Sequence, residues 1–167
     1  MSTGTEIEFI GFADGCRVNG RVQLDEARLA DLLNRQARIL LRNAVVVRTA
    51  DGLERKFDEL EVDRDELDIV VADGPRGDPR LRRATACDCI SVQVDGYSAE
   101  GFRHSPTGGE TALDDPPAMM ALTDAVLEYS LGAEPRSEWF RTLLVNRELA
   151  TSVRTVACSE ELAATIA

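Results

Sequence analysis

The chain states one pattern twice. At a constant offset of 81 residues, Gly20 falls on Gly101, Leu32 on Leu113, Ala37 on Ala118, Leu41 on Leu122, Ala44 on Ala125 and Val45 on Val126. The same offset lays FIGFADG, residues 9–15, over ISVQVDG, residues 90–96, and RILLRNAVVVRT, residues 38–49, over MMALTDAVLEYS, residues 119–130. Two residues further on in register, Phe57, Leu60, Val62 and Arg64 fall on Phe140, Leu143, Val145 and Arg147. Such self-similarity predicts one small fold built twice. Units of roughly 65–80 residues stand near the lower limit for independent folding. They gain stability by packing on each other or on another copy. The expected division is a first unit over 1–72, a linker over 73–84, a second unit over 85–158 and a tail over 159–167.

Within each unit the pattern is that of short strands. Ile7, Phe9, Ile10 and Phe12 mark a first strand, and Asp14-Gly15 a hairpin turn, since glycine tolerates the positive φ that tight turns require. Cys16–Leu24 then alternates, with Cys16, Val18, Gly20, Val22 and Leu24 on one face. Gly20 inside that run predicts a bulge or sharp bend. Asp25–Arg35 has helical spacing of Ala27, Leu29, Ala30, Leu32 and Leu33, with Asp25 as a cap. Arg38–Thr49 is an apolar strand, Arg55–Val62 a fourth and Leu67–Ala72 a fifth, with a polar corner at Asp63-Arg64-Asp65.

The second unit repeats this order through Thr85–Val94, the Asp95-Gly96 turn and Tyr97–His104 with Gly101. A loop over Ser105–Asp115 replaces the helix. Residues 116–132 read two ways: Asp115, Pro116, Pro117 and Gly132 are helix start and stop signals, whereas the repeat pairs them with a β-branched strand. The repeat decides for strand over Met119–Tyr129. Ser137–Val145 and Ser152–Val156 complete the unit, and SEELAATIA is a short helical tail. The linker run DGPRGDPRLRR, residues 73–83, cannot hold regular structure and is read as a solvated connector. The fold class expected is therefore mainly β: two tandem small barrels of bent strands, a short helix inserted in the first.

Composition narrows the function. The formal net charge of −11 repels nucleic acid and anionic lipid at long range. Arginine supplies all the basic residues but Lys56. No apolar run approaches the ~20 residues of a membrane span. The N-terminal MSTGTEIEF lacks a basic segment followed by an apolar core, so a cytoplasmic location is expected. Cys16, Cys87, Cys89 and Cys158 form no C-x-x-C pair, so reduced, mostly buried thiols and no metal site are expected. His104, the single histidine, has no nucleophile motif around it. No phosphate loop or dinucleotide fingerprint occurs. No catalytic residue and no cofactor are therefore assigned, and an enzyme of unknown type is the weakest alternative.

The order of each unit resembles Sm and Sm-like small barrels, five strongly bent strands in an SH3-type roll. Their first motif is matched by Asp14-Gly15, Gly20 and Asn43-Ala44, and again by Asp95-Gly96, Gly101 and Asp124-Ala125. Their second, an apolar residue followed by Arg-Gly, is half matched: Val62-Asp63-Arg64-Asp65 and Val145-Asn146-Arg147-Glu148 keep the arginine without the glycine. The chain also resembles an uncharacterised class of bacterial proteins with an RL-S/A-DLLN segment, an LTDA-like strand and VNR, matched at residues 28–34, 122–125 and 145–147. The Sm resemblance implies RNA binding, through Arg64 and Arg147 at the corners, and ring assembly. The structural alternative for each arginine is a guanidinium that ties its turn down by pairing with Asp63, Asp65 or Glu148.

The reading preferred from the sequence is a non-catalytic binding or assembly module. Its partner is expected to be protein, another copy included, and a homo-oligomer is possible; nucleic acid and membrane are not expected partners. RNA or nucleotide binding through the arginine corners and linker is the alternative. Small barrels leave strand edges open, and edges pair. The fourth strand of the second unit is apolar, so Trp139, Phe140, Leu143, Leu144 and Val145 are candidates for a contact between units or between copies. Equally, Trp139 and its neighbours could fill the second core.

Overall fold

The computed structural model describes residues 4–25, 28–72, 85–106 and 118–157. The expected linker, most of the expected loop after residue 105 and the expected helical tail lie outside them. Ten strands form: β1 (Thr5–Ala13), β2 (Cys16–Leu24), β3 (Arg38–Arg48), β4 (Glu54–Asp63), β5 (Leu67–Val71), β6 (Thr85–Val94), β7 (Tyr97–Pro106), β8 (Met119–Leu131), β9 (Glu134–Asn146) and β10 (Ser152–Thr155). Among the described residues one helix, α1 (Leu29–Arg35), follows β2, and one 3-10 turn, Arg64–Glu66, precedes β5. The protein is mainly β, as its alternating apolar pattern requires.

All ten strands belong to one antiparallel sheet, in the order β10-β6-β7-β8-β9-β5-β1-β2-β3-β4. The five strands on either side of the middle follow the same internal order: fifth, first, second, third, fourth. The expectation of two closed barrels is corrected here, because the sheet is continuous and neither half closes on itself. The reason lies at the middle. The edge of β5 that β1 leaves free is taken by β9, with Ile69, Val70 and Val71 opposite Val145, Leu144 and Leu143.

Strand curvature comes from paired irregularities. The β2–β3 register shifts between Asn19 and Arg21, and the β7–β8 register between Glu100 and Phe102. Gly20 and Gly101 occupy these shifts, and across from them Asn43 and Asp124 adopt left-handed backbone, at φ 48° and 47°. The two glycines are needed for close approach. A Cβ at Gly101 would stand 2.8 Å from the Ala125 Cβ and 3.1 Å from the Thr123 carbonyl oxygen. At Gly20 the nearest atom, the Leu41 Cβ, would be 3.2 Å away.

Residues 119–131 are strand, and the helix signals around them are overridden. The apolar side chains of β8 alternate into the second core, which a helix would not allow. α1 is shorter than expected and starts at Leu29, so Asp25 is not its cap. Asp31 instead accepts from the backbone N–H and guanidinium of Arg28 just before the first turn. Leu29, Leu32 and Leu33 lie on one face of α1 and are buried over the first core. β9 is longer than expected, starting at Glu134 rather than Ser137, since its hairpin with β8 continues to the Leu131–Glu134 pair.

The two cores are interleaved. The first contains Phe9, Leu24, Leu33, Leu41 and Val70, together with Met119 and Leu144 from β8 and β9. The second contains Ile90, Tyr97, Leu122 and Leu127, together with Phe12, Ile69 and Val71 from β1 and β5. Among the described residues, no helix is long and apolar enough to cross a membrane.

The glycine environments set a ranking. Gly101→Ala should lower stability by about 1–3 kcal/mol, the range for overpacking, and Gly20→Ala by less. Urea denaturation of the two variants measures the difference; equal costs would mean that the bulges relax alike.

Candidate functional site

The seam where β5 meets β9 is the most specific feature of the molecule. Every residue of β5 is buried, and Leu143, Leu144 and Val145 are fully buried beside it. The pairing continues past the strand ends. The Ala72 N–H donates to the Thr142 carbonyl, and the buried Asn146 amide donates to the Leu67 and Arg64 carbonyls. Met119, the register partner of Asn146, donates its N–H to Asn34 Oδ1 at the end of α1, at 3.1 Å.

A second set of contacts lies where the hairpin turns of the two halves meet. The Tyr97 hydroxyl donates to the Ala13 carbonyl at 2.7 Å and approaches the Cys16 carbonyl at 3.3 Å, clasping the β1–β2 turn. Phe12, Tyr97 and Tyr129 pack with centroids 5.1–6.1 Å apart, two of the pairs edge to face. Arg17 lies over the Phe12 ring, donates to the Tyr129 hydroxyl at 3.2 Å and sits 3.8 Å from a Glu138 carboxylate oxygen. Burial pushes the Tyr97 hydroxyl up from its ordinary pKa, and the Asp68 charge adds to the effect. Burial, then Asp14, Asp68 and Glu66, pushes the Cys16 thiol up as well. A thiol raised in this way is a poor nucleophile near neutrality.

The candidate residues divide into three groups. Leu143, Leu144 and Val145 lie in the seam between the halves. Phe140 is partly buried against the second core, and Trp139, 44% exposed, stands outside it opposite Val126. Arg64 and Arg147 flank the seam but differ. The Arg64 guanidinium donates to the Leu33 carbonyl at 3.0 Å and to Asp65, so its donors fasten the end of α1 to the corner. The Arg147 side chain is exposed, and its backbone N–H donates to the Ala118 carbonyl. Among the described residues, no group of three His, Cys, Asp or Glu could hold a metal ion.

Sequence reasoning missed Tyr97, Arg17, Asp68 and the β5 half of the seam. One signal was available: LDIVV is apolar at four of its five positions, whereas its counterpart in the second half is SVRT. A strand without alternation is one covered on both faces. Comparison with known proteins finds no family model, no curated protein and no solved structure that matches this chain.

Two truncations probe the seam. Leu144→Ala should cost about 2–5 kcal/mol, although its strand belongs to the second half and its contacts to the first core. Tyr97→Phe should cost about 0.5–1.5 kcal/mol by removing the part-buried hydrogen bond to the Ala13 carbonyl. Chemical denaturation measures both, and losses below about 0.5 kcal/mol, the size of an ordinary surface change, would remove the seam from the stability of the fold.

Proposed function

We propose that this protein is a non-catalytic assembly module, two tandem Sm-like units that join further copies through their free strand edges. One observation carries the reading. The sheet ends on β10 and β4, a fifth and a fourth strand, and its internal seam is itself a fifth strand paired with a fourth. A second copy can therefore continue the sheet by the contact that the chain already makes within itself. Such head-to-tail contacts give rings where the rotation closes and filaments where it does not.

The register follows from the internal one. Ser152 lies opposite Gln93 as Ile69 lies opposite Phe12, and Gln93 and Phe12 are 81 residues apart. The seam pairing of Ile69–Val71 with Val145–Leu143 then becomes Ser152–Arg154 with Val62–Leu60. The inner contact is wholly apolar and the outer one is not. β4 carries Asp58, Glu59 and Glu61, which discourage casual pairing, and β10 offers Arg154 and the exposed Val153. The association is accordingly weak, reversible and selective for a basic edge.

The strand order, the glycine bulges and the Asp-Gly turns support the Sm-like description of each half. The arrangement gives less support to RNA binding: the Arg64 donors are used inside the fold, and the net charge of −11 opposes a polyanion.

Sedimentation velocity across a concentration series tests the proposal. Wild type should show species heavier than the monomer as concentration rises, and Arg154→Glu should remain monomeric at the same concentrations. Wild type that is strictly monomeric throughout would overturn the proposal. Single-stranded RNA at low salt should leave the sedimentation profile unchanged.

A further inference from the structure

Asp68 is the buried charge that the fold does not explain. It lies at a register shift of β5, between Leu67 opposite Ala13 and Ile69 opposite Phe12, so it faces no partner residue on β1. It is 3% exposed, and among the described residues its Oδ2 has no hydrogen-bond partner. A bulge re-aims a side chain but does not call for a carboxylate. The second half shows this: Thr151 holds the equivalent place, is exposed, and gives both its N–H and its hydroxyl to the Gln93 carbonyl.

Among the described residues, the charges that act on Asp68 are both negative. Asp14 sits in the β1–β2 turn of the first half and Asp95 in the β6–β7 turn of the second. The other titratable groups here are Cys16 and Tyr97, both neutral near pH 7, with Glu66 of the 3-10 turn acting on the same thiol. On the β9 side the neighbour is the Asn146 amide, which is spent on the Leu67 and Arg64 carbonyls. A carboxylate with one oxygen buried and unpaired in such surroundings is costly when charged, and the ordinary remedy is neutralisation. Oδ2 is closed to solvent, so the cation that fits without rearrangement is a proton.

We propose that Asp68 is a proton-operated control on the seam: the protonated carboxyl lets β5 stay packed between the two halves, and loss of the proton loosens that packing. This inference is independent of how copies associate. Burial first, then the charges of Asp95 and Asp14, raises the Asp68 pKa to about 6. An opened seam would return it to the ordinary carboxylate value of about 4. The closed seam thus holds more protons than the open one between these values. Its stability is complete below the lower value, falls as pH rises towards the upper one, and is level above it.

Amide hydrogen exchange of the full chain, corrected for the intrinsic pH dependence of exchange, reads the opening at Val70 and Leu144. In wild type the opening constant should rise about tenfold between pH 5 and pH 7, as linkage with these two values requires. Asp68→Asn should give a flat profile over that range. Asp68→Thr, which copies the second half, should do the same and guards against misfolding of the first variant. Asp95→Asn should move the wild-type midpoint to lower pH. A flat wild-type profile, or one that persists in both Asp68 variants, would overturn the proposal.

Discussion

A strand in the middle of a sheet has to satisfy its backbone on two edges and its side chains on two faces. β5 meets all four demands only because β9 lies beside it. Buried N–H and C=O groups left unpaired would cost about as much as lost hydrogen bonds. The apolar side chains of LDIVV would lose their cover as well. The side chains divide between the cores: Leu67 and Val70 serve the first, Ile69 and Val71 the second. The seam is therefore a shared wall, and each core is incomplete without residues carried by the other half.

The same strand positions meet a different fate at the ends of the sheet. β10 replaces Ile69–Val71 with Ser152, Val153 and Arg154, and β4 places Glu61 where β9 has Leu144. Where the contact is permanent, both strands are apolar. At the ends of the sheet the strands are polar enough to face water alone. Edge strands left to solvent need such protection against indiscriminate pairing.

Much of this was legible in the residues. The Asp-Gly turns, the strands and the two bend glycines follow from local chemistry, and they lie where the sequence places them. The internal match also resolved residues 119–131, where capping signals alone indicate a helix. Other features depend on which distant strands become neighbours, and no local pattern carries that. Tyr97 reads as an ordinary strand residue until its hydroxyl reaches Ala13, 84 positions away. Asp68 reads as the polar member of a strand until the fold buries it. The expectation of two closed barrels failed for the same reason: the sequence does not show that the edge of β5 left by β1 is taken by β9. Among the candidates, Leu143–Val145 were legible by their apolarity, whereas the role of Arg64 in fastening α1 emerges only from its bond to Leu33.

Equilibrium unfolding followed by two probes tests the shared seam most directly. Trp139, Tyr97 and Tyr129 all lie in the second half, so Trp139 fluorescence reports that half alone, while far-ultraviolet circular dichroism reports both. Interleaved cores require the two halves to unfold together, so the two curves should coincide in a single transition. Two separated transitions, with the dichroism signal of the first half surviving after Trp139 has lost its native environment, would contradict a common wall between them.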